Sequence, residues 1–403
     1  MNDKRNLKAK QTVKRILLLC LCAALLCSAA FAETAEVTDM ASSDKADSFY
    51  DYCMLPDGRT VFAGWMLDEE SSAGRLVCMN PDGTVSWAYE EPAGSRSAYW
   101  GVLPTEDGTL AVSADIGEES KAIFFSPEGK PSGKELPLQD EAGRFSLKSF
   151  GTVRNTGGED GDEGLEFADR EGNLLFRWEN GAPVVYGQGD MIPEEDGLVL
   201  TGWTENGDGS MNAAILKADW QGKTVWETAL PALTENGDNP ALTGKCLRTG
   251  DGGYAARLLE YTDEAGTDTV KQNNALVRFD AEGQVLWMNR ESFEKREKEF
   301  GSLEVTGIAA YKGKLVAGIR DRSPKEGEGE TALYLWFDEN GKELGTTEVQ
   351  IRKEDLPRFA DSTGINVYAE QLVSLESGLW QVFGIEGDSW LQKDNVMVRI
   401  PEL

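Results

Sequence analysis

The sequence predicts an all-β chain folded as a seven-bladed β-propeller of four-stranded antiparallel blades. Three observations predict it. One unit, an apolar run followed in its best copies by a Gly turn and a second strand ending in an aromatic, appears in seven copies along the chain. A second Gly-centred hairpin precedes most copies. The 3.6-residue apolar period of a helical solenoid is absent.

The clearest unit reads Arg75-Leu-Val-Cys-Met-Asn80, then Pro-Asp-Gly, then Thr84-Val-Ser-Trp87. It returns as Ala213 to Asp219 with Gly222 and Trp226, and as Ala275 to Asp280 with Gly283 and Trp287. Weaker copies are Ala122 to Ser126 with Gly129, Leu165 to Asp169 with Gly172, and Leu333 to Asp338 with Gly341. Asn395 to Ile400 is the seventh copy and has no partner strand after it. The turn glycines are 46, 43, 50, 61 and 58 residues apart, which is blade spacing.

The preceding hairpins are centred on Asp57-Gly58, Asp107-Gly108, Asp196-Gly197, Asp251-Gly252, Lys312-Gly313 and Ser377-Gly378. Gly and Asp tolerate the positive φ of a tight turn, so such pairs between β-rich runs mark hairpins. Each blade is then four strands: a, a short turn, b, a longer loop, c, a short turn, d. The third copy is degenerate, with a blurred a/b hairpin at 144–155. The seventh lacks strand d, and an open edge invites pairing with other chains. The N-terminal piece Thr34–Thr38 is β-capable and is expected to close that blade against Val396–Ile400. The organisation read here is residues 1–32 as a targeting segment, 33–48 as an N-terminal segment with the closing strand, and 49–403 as the propeller.

The repeat resembles that of exported bacterial propellers of the form DGG-Y … L-V-K-x-D-x-x-G-x-x-x-W, and the blade of the PQQ-like propellers. The residues that carry the likeness are Asp251-Gly252-Gly253-Tyr254 with Leu276 to Trp287, and Glu195-Asp196-Gly197-Leu198 with Ala213 to Trp226. The resemblance implies that the aromatic four residues after the turn glycine docks on the neighbouring blade. That position holds Trp87, Phe176, Trp226 and Trp287, but Gly133 and Gly345 in two weaker copies. Quinone-cofactor chemistry is not implied, because the adjacent cysteines of such enzymes have no counterpart in Cys53, Cys78 and Cys246.

The N-terminus reads as a signal peptide. Lys4, Arg5, Lys8, Lys10, Lys14 and Arg15 form a basic stretch, Ile16 to Phe31 is apolar, and Ala30-Phe31-Ala32 suits cleavage after Ala32. The expected location is secreted or extracytoplasmic, without membrane insertion after cleavage; a retained anchor is the alternative. The cysteines of the apolar run follow Leu, which does not suit a lipoprotein signal. The whole chain has a formal net charge of −30. Removing residues 1–32 takes away six basic side chains and one acidic one, leaving −35. Such a chain repels phosphate backbones, so nucleic acid is excluded as a partner. The chain has no His, which excludes histidine bases and histidine metal sites. Three cysteines after residue 32 do not make a disulfide framework.

Candidate site residues are few. Trp100 and Trp390 fall outside the regular d-strand position and suit an exposed aromatic contact. Trp65 and Trp203 both follow a Gly at the end of strand b, where packing competes with ligand binding. Asn206, Asp208 and Asn212 alternate oxygen ligands as a Ca²⁺ loop does, without the distal Glu of an EF-hand. A solvated turn explains the same residues, and no cofactor is expected otherwise. No catalytic set stands out. Sialidase-type Asp boxes place Trp three residues after Gly, whereas here it lies four after. The long b–c and d–a loops share one face and collect the length variation. The expected function is a non-catalytic binding or scaffold module, monomeric, taking a protein, peptide or glycan on that face. The alternative is a carboxylate-based glycan-active enzyme.

Overall fold

The computed structural model describes residues 37–40, 46–67, 71–92, 94–105, 108–138, 145–148, 151–155, 165–169, 173–178, 190–205, 210–234, 238–263, 270–300, 303–321, 330–388 and 393–403. Their strands form seven four-stranded antiparallel sheets. The first sheet is β2 (Ala46–Met54), β3 (Thr60–Leu67), β4 (Ser72–Met79) and β5 (Val85–Glu90). The second is β6 (Ser97–Pro104), β7 (Leu110–Ile116), β8 (Glu119–Phe125) and β9 (Pro131–Pro137). The third is β10 (Phe145–Lys148), β11 (Gly151–Asn155), β12 (Leu165–Asp169) and β13 (Leu174–Trp178). The fourth is β14 (Met191–Glu194), β15 (Gly197–Glu205), β16 (Met211–Asp219) and β17 (Thr224–Leu230). The fifth is β18 (Asp238–Arg248), β19 (Tyr254–Asp263), β20 (Val270–Phe279) and β21 (Val285–Asn289). The sixth is β22 (Leu303–Tyr311), β23 (Lys314–Asp321), β24 (Glu330–Phe337) and β25 (Glu343–Ile351). The seventh is β26 (Asn366–Leu375), β27 (Gly378–Glu386) and β28 (Lys393–Ile400), with β1 (Val37–Asp39) as its fourth strand. In that last pairing Val37 faces Val398 and Asp39 faces Val396; residues 34–36 lie outside the described residues.

The sheets are propeller blades. First strands of neighbouring sheets pack on one another, as β2 does on β6 and β22 on β26. Fourth strands such as β5 and β9 are exposed along most of their length. The first strands therefore line the axis and the fourth strands form the rim. The apolar core is divided into wedges between blades. One joins Cys53, Val61 and Leu76 of the first blade to Tyr99, Val112 and Phe125 of the second. Another joins Phe49, Phe62 and Val77 to Val373, Trp380 and Met397, closing the seventh blade on the first.

The d-strand aromatics fasten successive blades. Trp87 donates its indole N–H to the Pro127 carbonyl at 3.0 Å, and Trp287 donates to Glu339 at 2.8 Å. Trp178 does the same to Gly222 at 2.8 Å. The ring of Trp226 covers Gly283, where a methyl group would overlap it. Blade six has Gly345 at the docking position, and there the C-terminal Leu403 side chain lies over the glycine instead. Helix α1 (Glu291–Phe300) links blades five and six. Its ion pairs include Arg290 with Glu294, Arg296 with Glu299 and Glu343, and Glu297 with Lys271 of β20. The linker before blade seven contains short 3₁₀ turns at Lys353–Asp355 and Pro357–Phe359. Among the described residues, no helix is long and apolar enough to cross a membrane.

Candidate functional site

The first strands do not run regularly along the axis. In β2 the pairing with β3 skips from Phe49 to Asp51, leaving Tyr50 without an opposite residue. The same one-residue bulge leaves out Trp100 in β6, Thr306 in β22 and Glu370 in β26. Counted back from their a–b turns, these four residues occupy the same place in their blades. Blade five carries a larger insertion: Gly244, Lys245 and Cys246 stand opposite Ala256 alone. A bulge bends the strand and re-aims a side chain. Repeated at one level of the ring, the bulges lay these side chains over the second strand of their own blade, Tyr50 on Trp65, Trp100 on Asp115, Thr306 on Gly318 and Glu370 on Gly384.

Glycine makes the first of these bulges possible. A Cβ at Gly64 would overlap the Ser48 carbonyl and the Phe49 backbone, so β3 approaches the bulged strand closely only because no side chain is there. In the second blade Tyr99 is fully buried, lies against Gly74 and donates its hydroxyl to Glu91 at 2.6 Å. It anchors β6 against the first blade and fixes the position of its neighbour Trp100.

The two bulge aromatics meet. Tyr50 and Trp100 have ring centroids 4.7 Å apart, tilted by 35°. They remain 44% and 46% exposed. The indole N–H of Trp65 is donated to the Tyr50 hydroxyl at 2.6 Å, and that of Trp100 to the Asp115 carboxylate at 2.6 Å. Ser120 donates its hydroxyl to the other Asp115 oxygen. Trp65 stands opposite Ser48 and Asp115 opposite Ala98, two residues toward the b–c loops from the bulges. The rings therefore lean toward the long-loop face, and their polar edges are tied down while apolar surface stays open.

Deeper in the lumen, Lys245 of blade five reaches blade one. Its ammonium lies 3.5 Å above the Tyr52 ring and 3.3 Å from Asp51. Asp51 also accepts the Val102 N–H at 3.2 Å, and the Tyr52 hydroxyl is donated to the Leu372 carbonyl of blade seven at 3.1 Å. Four blades are thus bound through one cross-channel strut. Burial lowers the Lys245 pKa, but Tyr52, Asp51 and Asp190 outweigh it and hold the ammonium above its ordinary value.

At the seam of blades seven and one, Asp47 and Arg75 pair with both side chains fully buried. Asp47 also accepts the Asn395 N–H at 3.1 Å, and Asn395 donates its amide to Glu370 at 2.9 Å. Burial raises the Glu370 carboxyl to about 7; the Asn395 hydrogen bond and Lys393 act against the shift, and Glu386 adds to it.

Two of the four tryptophans singled out by sequence, Trp65 and Trp100, come together around Tyr50. Trp203 is half-buried at the equivalent b-strand position in blade four, away from this cluster. Trp390 lies outside the described residues, as do Asn206 and Asp208 of the candidate Ca²⁺ loop; Asn212 stands on β16 opposite Thr204. Among the described residues no group of three Cys, Asp or Glu side chains is placed to hold a metal ion. Sequence reasoning missed Tyr50, because a bulge leaves no mark in residue type, and Lys245 and Glu370, because the neighbours that set them apart are remote in sequence.

No protein-family model matches this sequence, and no curated protein matches it. The resemblance to PQQ-like repeats is therefore one of pattern, with no sequence family behind it. Among solved structures the chain is similar to Drosophila Plexin A in complex with Semaphorin 1b, at 9% identity over 91% of this chain and 86% of that one, with a TM-score of 0.48. It is similar to Chaetomium thermophilum Sqt1 bound to the N-terminus of the ribosomal protein L10, at 10% identity over 89% and 98%, TM-score 0.47. It is also similar to the polysaccharide lyase Uly1, at 11% identity over 90% of each chain, TM-score 0.45. Likenesses of this order transfer neither a partner nor a reaction. The propeller assignment rests on the chain's own seven sheets.

Proposed function

We propose that this propeller is a non-catalytic binding module working outside the cytoplasm, and that its ligand docks on the aromatic platform of Tyr50 and Trp100. One observation carries the reading: two neighbouring blades deliver exposed rings from equivalent bulges, and hydrogen bonds from Trp65 and to Asp115 hold those rings in place. Exposed aromatics whose orientation is fixed in advance bind at low entropic cost. Residues on a rigid scaffold beside variable loops are where binding concentrates. The ligand classes that suit such a platform are protein, peptide and cell-envelope glycan. The extracytoplasmic location rests on the basic and apolar N-terminal stretch, and is tested by sequencing the N-terminus of the protein recovered from its producing cells, which should begin at Glu33.

The test of function is a panel of polysaccharides and peptides, scored for both binding and hydrolysis with the chain from residue 33. Trp100→Ala and Tyr50→Ala should abolish binding without lowering the melting temperature by more than about 2 °C. Binding that survives both substitutions would overturn the assignment. A second reading, a carboxylate-based glycan-active enzyme, is favoured by Glu370, whose carboxyl is raised by burial to about 7, the range that suits a general acid at neutral pH. Hydrolysis of any polymer that is lost in Glu370→Gln would replace the binding reading with that one.

A further inference from the structure

We infer that the platform takes a glycan built from amino sugars with free ammonium groups. This rests on the reading of Tyr50 and Trp100 as the docking surface and adds the class of ligand. The rings touch at 4.7 Å, so nothing inserts between them and a ligand lies across their open faces. Both indole N–H groups near the site are already donated, to Tyr50 and Asp115. What is left to a ligand is apolar ring surface flanked by oxygen acceptors, which suits the C–H face and polar rim of a pyranose.

Charge selects among sugars. The two-residue turn joining β7 to β8 stands beside Trp100, because its last paired residues include Asp115 opposite Ala98. The turn and its flanks carry Asp115, Glu118 and Glu119, the last two exposed. The cations nearby are Arg96, whose carbonyl caps the turn by accepting the Gly117 N–H, and Lys121. Lys121 is engaged by Glu135 at 3.0 Å and Glu119 at 3.6 Å. Anions outnumber cations there, within a chain of net charge −30, so uronates and sulfated sugars are repelled and ammonium groups attracted. A cationic peptide fits less well, because the one-residue bulges at Tyr50 and Trp100 interrupt the ladder at the level of the rings and a peptide strand needs an unbroken edge.

The experiment uses the chain from residue 33 and three probes: a glucosamine hexamer, an N-acetylglucosamine hexamer and hexalysine, followed by tryptophan fluorescence and calorimetry. The glucosamine hexamer should bind at least tenfold tighter than either other probe, and several-fold weaker when salt rises from 50 to 300 mM. The double variant Glu118→Gln/Glu119→Gln should lose at least threefold in affinity for it while its affinity for the acetylated hexamer stays unchanged. Trp100→Ala should lose tenfold or more for both sugars. Equal or tighter binding of the acetylated hexamer, or of hexalysine, overturns the amino-sugar class. So does failure of both hexamers to bind a protein that binds another polymer through Trp100, an outcome that leaves the platform standing. Sugar binding untouched by both Trp100→Ala and Tyr50→Ala overturns the class and the platform together.

Discussion

The Lys245 ammonium, in the fifth blade, lies 3.5 Å above the ring of Tyr52, in the first. The two residues are 193 positions apart in sequence, and the contact crosses the channel axis. The Lys245 side chain keeps 45% of its surface accessible. A cation over an aromatic face contributes about 0.5–1 kcal/mol at such partly wet sites. The partner pair with Asp51 is similarly modest, since neither side chain is fully buried. A double-mutant cycle of Lys245→Met and Tyr52→Leu should therefore give a coupling energy of about 0.5–1 kcal/mol. Strict additivity would show that the strut adds nothing to closure of the ring.

Blade docking predicts a contrast between two glycines. Gly283 has φ +76° and Gly252 has φ +88°, so alanine is strained at both. Only Gly283 lies under an indole, that of Trp226; a methyl at Gly252 meets open space. Gly252→Ala should cost about 1 kcal/mol from backbone conformation alone. Gly283→Ala must also displace Trp226 and should cost roughly 1–3 kcal/mol more. Denaturant midpoints of the two variants decide it. Equal losses would mean that the aromatic does not hold the blades together.

The three cysteines of the propeller should be inert in the native protein. Cys53, Cys78 and Cys246 are free and buried. Burial pushes the Cys53 and Cys246 thiols far up, with Asp51 and Asp190 adding to it respectively, and takes Cys78 up to about 11 despite the opposing Arg59. Thiolate is the reactive form. A thiol reagent at pH 8 should label none of the three in the folded chain from residue 33. It should label all three once the chain is denatured without reductant. A denatured count of one would reveal a disulfide.

The repeat was legible because it is written in residues that turns and docking demand. Gly at a positive φ and Trp four residues later recur at Gly83/Trp87, Gly222/Trp226 and Gly283/Trp287. The aromatic platform was half legible. Trp100 stood out by falling off the repeat, and Trp65 by following Gly64. Tyr50 did not, since Phe49-Tyr50-Asp51-Tyr52 reads as an ordinary strand and one extra residue in a ladder changes no composition. Lys245 and Glu370 were invisible for another reason. What sets them apart is a neighbour in a distant blade or a burial that depends on ring closure, and neither is a local property.

Glu370 gives the pH dependence that follows from such closure. Its carboxyl is raised from the ordinary 4.5 to about 7, chiefly by burial. The sign follows from linkage: stability is lost where the unfolded chain has given up a proton that the native chain retains. Below about pH 4.5 both states are protonated and the group costs nothing. Between 4.5 and 7 native stability falls as pH rises, and above 7 the full cost, at most about 3 kcal/mol, is present. Gln at this position keeps an acceptor for the Asn395 amide and cannot ionise. Glu370→Gln should therefore gain on the parent protein by about 2 kcal/mol as pH goes from 5.5 to 8, read from urea midpoints of both proteins at each pH. The difference between the two proteins is the quantity to follow. Carboxylates such as Asp57 and Asp82, held low by hydrogen bonds from Arg59 and Thr84, alter the chain's own stability only below about pH 4 and are the same in both proteins. A gap between variant and parent that stays constant from pH 5.5 to 8 would mean that Glu370 ionises at its ordinary pH, and that its place at the seam is wetter than the closed ring implies.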